Sequence, residues 1–148
     1  LGKHILKLLI ADDSMTQRVM LQSITSKWGF NPVLAENGKQ ALEILGKDNS
    51  PRLLLLDWEM PGVDGLEVCN QVRQREDSGA FFILLLTGRT ETEDIEQGLE
   101  SGANDYVAKP FNNAELKARL ENGRKLVNLQ KELLRANRLL DKYRKKDN

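Results

Sequence analysis

The chain has 148 residues, room for one ordinary domain and a small or extended second element. Its 22 basic and 22 acidic residues cancel, so no overall charge draws it to nucleic acid or to an anionic membrane. Cys69 is the single cysteine, which excludes an internal disulfide and a cysteine metal cluster and suits a reducing compartment.

No apolar run approaches the roughly 18 to 20 residues of a membrane helix, and no secretory signal pattern opens the chain. A cytoplasmic protein is expected, with no membrane partner. Leu1 and Gly2 precede the first patterned segment and carry no weight.

In chain order, Ile5 to Ala11 is a nearly continuous apolar run, and Leu53 to Leu56 and Phe81 to Leu86 repeat the type. Such runs predict strands buried on both faces. Asn31 to Ala35 and Asp105 to Ala108 are weaker strands, the first with Pro32 near its start, as an edge strand tolerates. Between them, helical spacing covers Met15 to Trp28, Lys39 to Lys47, Leu66 to Arg75 and Thr92 to Ser101, and a long helix begins at Asn113. In the first of these, Val19, Ile24 and Trp28 are expected inside, with Arg18, Gln22 and Lys27 facing water. Cys69, in an apolar stretch, is expected in the core. Turn signals such as Asn37-Gly38, Pro61-Gly62 and Ser101-Gly102 separate the elements. Strand and helix alternate, so the fold class is α/β, a doubly wound parallel sheet of five strands with helices on both faces.

From Ala114 to Lys146 there is no proline and Gly123 is the one glycine, so the last helix runs about 33 residues, roughly 50 Å. Leu126, Leu129, Leu133, Ala136, Leu140 and Tyr143 follow alternating spacings of three and four, a seam of nearly three heptads. Two readings stay open: a solvated helix end, or a helix that pairs with a second copy. The terminal Lys142, Arg144, Lys145 and Lys146 suit the negative helix end. The expected division is a domain over residues 3–122 and a helical extension over 123–148.

In an open α/β sheet, residues just past the carboxyl ends of the strands collect at one edge. That rule selects Asp12 and Asp13, Asp57, Thr87, and Lys109 with Pro110. Each alone has a plainer explanation as a helix cap, a turn residue or a solvated charge. Together, three carboxylates would repel one another unless a cation sat among them, and an all-oxygen donor set suits Mg²⁺ or Mn²⁺. A carboxylate can attack phosphorus, and Asp57, standing alone at the centre of the edge, is the better nucleophile candidate. Lys109 and the Thr87 hydroxyl can then stabilise the charge on the transferring phosphoryl group.

The segments LLIADDS, LLLLDWEMPGVDG, ILLLTGR and GANDYVAKPF, in this order and spacing, resemble the receiver domain of two-component response regulators from Lys7 to about Leu120. The resemblance implies a flavodoxin-like sheet of strand order 2-1-3-4-5 with an extended C-terminal helix. It implies phosphorylation at Asp57 and a metal held by Asp13 and Asp57, by Asp12 directly or through water, and by the backbone carbonyl of Glu59. It further implies Lys109 on the phosphoryl oxygens or on unmodified Asp57, a cis bond before Pro110, and a switch in which Thr87 moves toward the phosphate and Tyr106 rotates into the space vacated. Gly88 keeps the phosphoryl group accessible, and Glu59 and Arg89, which can pair with each other, tune its lifetime.

The implied function is a phosphoacceptor switch, modified by a histidine kinase, a phosphotransfer protein or a small acyl phosphate, and not an enzyme acting on outside substrates. An aspartate-nucleophile phosphatase or dehalogenase would expect a second acid two residues after the nucleophile, where this chain has the longer Glu59. A nucleotide-binding module would need a glycine-rich phosphate loop after a strand, which is lacking. The terminal segment is similar to the helix that connects receivers to second-messenger enzymes, diguanylate cyclases in particular, with HD-type phosphodiesterases, sporulation-type phosphatases and kinases as alternatives. A homodimer through that helix and no direct nucleic-acid partner are expected.

Overall fold

The computed structural model describes residues 5–146; Leu1 and Gly2, the first residues of the expected domain and the last two of the extension lie outside them. The chain runs β1 (Lys7–Ala11), α1 (Met15–Lys27), β2 (Asn31–Ala35), α2 (Gly38–Leu45), β3 (Leu53–Asp57), α3 (Gly65–Arg73), a 3₁₀ turn (Ser78–Ala80), β4 (Phe82–Thr87), α4 (Thr92–Glu100), β5 (Asp105–Ala108) and α5 (Asn113–Lys146). The five strands form one parallel sheet in the order β2-β1-β3-β4-β5. The expected fold class is therefore found, and β2, with Pro32, is an edge.

Alternation along the central strands divides the core. Leu54 and Leu56 of β3 and Ile83 and Leu85 of β4 face a layer made by Ala41 and Leu45 of α2 and Val68, Cys69 and Val72 of α3. Leu53 and Leu55, with Leu84 and Leu86, face Leu21 of α1 and Leu116, Leu120 and Val127 of α5. This two-sided burial is why β3 and β4 need leucine at nearly every position. Each such side chain contributes about 1.5–3 kcal/mol on leaving water.

Helix starts follow from their caps. Ser14, Asn37 and Asp64 accept backbone N–H bonds from Gln17, Gln40 and Glu67, and Asn112 accepts from Ala114. On α1 the outcome differs from the expected face: Leu21 and Thr25 are buried, Val19 is half exposed, and Arg18 does not face water. Its guanidinium instead donates to the Asp12 carbonyl at 2.7 Å. A long polar side chain one turn into a helix reaches back over the preceding loop, which a hydrophobic count cannot register. Cys69 lies in the core, and burial pushes its thiol up to about 12.

The 34-residue α5 is continuous across residues 122 and 123. A Cβ on Gly123 would sit 2.6 Å from Leu53 Cδ1 and 2.8 Å from Phe82 Cδ1, so glycine there lets the helix axis close on the sheet. Val127 is the last buried residue, and every described residue beyond it is exposed. No helix among the described residues is long and apolar enough to cross a membrane.

Candidate functional site

Parallel pairing brings the carboxyl ends of β1, β3, β4 and β5 to one edge. Asp57 ends β3 opposite Leu86, and Thr87 extends one residue further on β4, opposite Ala108. Asp12 follows β1 and is fixed by its N–H bond to the Ala35 carbonyl, 3.1 Å. Lys109 follows β5 and donates its backbone N–H to the Thr87 carbonyl at 2.7 Å; its bond to Pro110 is cis. The approach of α3 tightens the turn after Asp57: Gly65 donates to the Trp58 carbonyl, and a Cβ there would lie 2.6 Å from the Asp57 carbonyl oxygen.

Asp57 is 4% exposed. Lys109 Nζ donates to its Oδ2 at 2.9 Å, and the Glu59 N–H donates to Oδ1 at 3.2 Å. Burial pushes the Asp57 carboxyl above its usual range; Lys109 pulls it down and the Asp12 carboxylate pushes it up again. Carboxylate oxygens of Asp12, Asp13 and Asp57 lie within 4.8 Å of one another, two of the three residues buried and Asp13 open to solvent. Crowded, desolvated and all oxygen, this donor set fits a hard divalent cation that keeps water ligands on its open side.

Thr87 is buried, and its hydroxyl oxygen accepts the Arg89 N–H at 2.9 Å. Arg89 and Glu59 pair across the rim, as their positions suggested. The Arg89 guanidinium also lies 4.9 Å over the Trp58 ring and 3.7 Å from Asp94 of α4. Tyr106, paired with Leu85 across the strands, is half-buried against the core cluster that contains Ala103. Asp12, Asp13, Asp57, Thr87 and Lys109 thus gather on one edge with Glu59 and Arg89 at its rim, whereas Tyr106 sits within β5, two positions before Ala108, the partner of Thr87.

The residue-family profile described as "Response regulator receiver domain" matches residues 8–121. The chain belongs to the response regulator receiver family. It is 38% identical over 115 residues to the phosphate regulon transcriptional regulatory protein PhoB of Rhizobium meliloti, covering 78% of this chain and 50% of PhoB. It is 41% identical over 114 residues to the DNA-binding response regulator MtrA of Mycolicibacterium smegmatis, covering 77% of this chain and 48% of MtrA. This receiver chain thus spans about half the length of the curated relatives it matches. The receiver domain of the sensor histidine kinase PA1611 of Pseudomonas aeruginosa PAO1, solved with magnesium coordinated in its active-site cleft, superposes with a TM-score of 0.73 at 27% identity, covering 80% of this chain and 97% of that one.

The receiver is accordingly a phosphoacceptor signalling switch of a two-component system, a class that exchanges phosphoryl groups with histidine kinases or phosphotransfer proteins and binds Mg²⁺ at its acidic site. Two features of the site were not expected from the sequence. Gln17 donates its side-chain amide to Asp12 Oδ2. It lies five residues after Asp12, which itself precedes α1, so the i,i+4 spacing that signals neighbours on a helix does not apply to the pair. The stacking of Arg89 on Trp58 joins two loops of unrelated sequence position and likewise left no signal.

Proposed function

We propose that Asp57 is the phosphoacceptor of this receiver. The observation that carries the reading is the Lys109 ammonium 2.9 Å from Asp57 Oδ2, beside two further carboxylates. An Asp57 carboxylate oxygen bonds to phosphorus as the donor's P–N bond, or the P–O bond of an acyl phosphate, breaks, and the bonding pair leaves with the histidine or the carboxylate. Lys109 passes from Asp57 to a phosphoryl oxygen, and the Thr87 hydroxyl donates to another. Asp12, Asp13, Asp57 and the Glu59 backbone carbonyl would hold Mg²⁺ or Mn²⁺. Such a cation supplies positive charge against the carboxylates and the incoming phosphate. The receiver catalyses only its own modification and loss of phosphate.

On this reading Thr87 and Tyr106 report the phosphate, because it can favour one arrangement only by contacts made better there. Glu59 and Arg89 stand at the rim and tune how fast water reaches the acyl phosphate. Output passes along α5, with residues 3–122 as the receiver and 123–148 as the connecting helix to a second-messenger enzyme such as a diguanylate cyclase. Leu126, Leu129, Leu133, Leu140 and Tyr143 are 44–70% exposed and carry no charge, whereas Lys131, Arg135, Arg138 and Lys142 fall by helical spacing on the opposite side. That segregation supports a parallel two-helix pair between copies. Light scattering that finds a monomer both with and without a beryllium fluoride phosphate mimic would overturn the pairing.

PhoB and MtrA are named as transcriptional and DNA-binding regulators, but what matches here is about half of each. Up to Glu121 this chain has thirteen basic against nineteen acidic residues, which supports a receiver without a direct nucleic-acid partner. Its expected setting is the cytoplasm, beside its kinase. Incubation with acetyl phosphate and Mg²⁺, followed by intact mass, tests the proposal. One phosphoryl group per chain, absent in Asp57→Asn, is expected; release of many phosphate equivalents without an adduct would favour an enzyme instead.

A further inference from the structure

Asp12 is 1% exposed, yet no lysine or arginine reaches its carboxylate among the described residues. Lys109 is committed to Asp57, and Arg18 binds the Asp12 backbone carbonyl rather than the side chain. The buried charge is met by two neutral donors: the Ser14 N–H on Oδ1 at 2.9 Å, and the Gln17 side-chain amide on Oδ2. These donors differ in kind. The Ser14 N–H is fixed in the backbone at the start of α1, whereas Gln17 is a half-exposed side chain with three rotatable bonds and open solvent beside it.

We propose that the Gln17 carboxamide stands in for the cation on Asp12 and is displaced when the cation binds, so that Gln17 weakens divalent-metal affinity and sets the concentration at which the site fills. This rests on reading Asp12, Asp13 and Asp57 as the cation site. The effect is one of linkage. A hydrogen bond made in the metal-free state and lost in the metal-bound state stabilises only the former, and its free energy is subtracted from metal binding. Without the amide, Oδ2 of a desolvated carboxylate has no side-chain donor, and the metal-free fold carries that cost until a cation relieves it. Gln17 is thus a positioning residue that acts through Asp12.

The test uses the whole chain and Gln17→Met, which keeps the length and apolar stem of the side chain and removes the amide. Gln17→Asn, whose shorter amide falls short of Asp12, is the second variant should the first fold poorly. Mn²⁺ is titrated while the paramagnetic resonance signal of free Mn²⁺ is followed, and melting is recorded in chelator and in saturating Mg²⁺. The expected result is Mn²⁺ binding tighter by about threefold to tenfold, the factor that one neutral hydrogen bond carries. Melting should be lower than wild type in chelator, with the gap closing in Mg²⁺. Binding of one ion by the wild type with equal or weaker affinity in both variants would overturn the role of Gln17 and leave the cation site standing. A wild type that binds no Mn²⁺ would overturn both.

Discussion

Lys109 Nζ meets Asp57 Oδ2 at 2.9 Å across a separation of 52 residues, joining the ends of β5 and β3. Among the described residues this bond is the one salt bridge to a carboxylate that burial and Asp12 both oppose. Its strength is therefore divided between holding the strands' ends together and offsetting a cost.

The cost has a sign. Because the folded-state carboxyl titrates above its ordinary value of 3.8, the fold binds the proton more tightly than the unfolded chain does. Stability from this group falls as pH rises from 3.8 through the folded value, and the penalty is complete above that value. Asp57→Asn should therefore melt higher than wild type in chelator at pH 7, by about 2–4 °C for each 1 kcal/mol recovered. Saturating Mg²⁺ should raise the wild type and leave the variant unmoved. Calorimetric melts in both conditions check this.

Arg73 of α3 ties together the far side of the sheet. It donates to the carbonyls of Gly102 at 2.7 Å, Ser78 at 2.5 Å and Phe81 at 3.2 Å, and to Asn104 Oδ1 at 2.7 Å. Asn104 Oδ1 also accepts the Ile83 N–H, so one guanidinium supports the approach to both β4 and β5. Arg73→Met should cost about 3 kcal/mol, since several charge-assisted bonds lose their donor at once. Urea unfolding with an unchanged slope would verify it.

Cys69 should be inert. Its thiol is buried and pushed up to about 12, so at pH 8 the thiolate population is negligible and no path leads a reagent in. An aromatic disulfide reagent should label it only at the rate of unfolding, with full reaction in denaturant.

The Arg89–Glu59 pair lies at the surface, so Arg89→Ala should leave melting unchanged while shortening the lifetime of the phosphoryl group severalfold. Loss of label after removal of acetyl phosphate measures this. An unchanged lifetime would assign Arg89 to the Trp58 and Asp94 contacts alone.

Most of this architecture was legible because buried parallel strands must be apolar on both faces. Leu53 to Leu56 and Phe82 to Leu86 are short apolar runs between turn signals, as buried strands require, and once they pair in parallel with β5, Asp57, Thr87 and Lys109 fall at the same edge. What was illegible lies where one residue serves two demands. On α1, Arg18 and Gln17 turn back to the Asp12 loop instead of to water, and Val19 yields its expected interior place to Leu21 and Thr25. On α5 one run of leucines hid two faces. Leu116, Leu120, Gly123 and Val127 pack on the sheet, while the seam beginning at Leu126 lies on a side turned away from it. Spacing alone gives each period but not which surface it meets.

The most direct measurement is the chemical location of the phosphoryl group. Borohydride reduces an aspartyl phosphate to homoserine, which peptide mass spectrometry places by residue after treatment with acetyl phosphate and Mg²⁺. The account predicts homoserine at position 57 alone, abolished by chelator. Homoserine at position 12 or 13, or none while the intact chain carries phosphate, would contradict it.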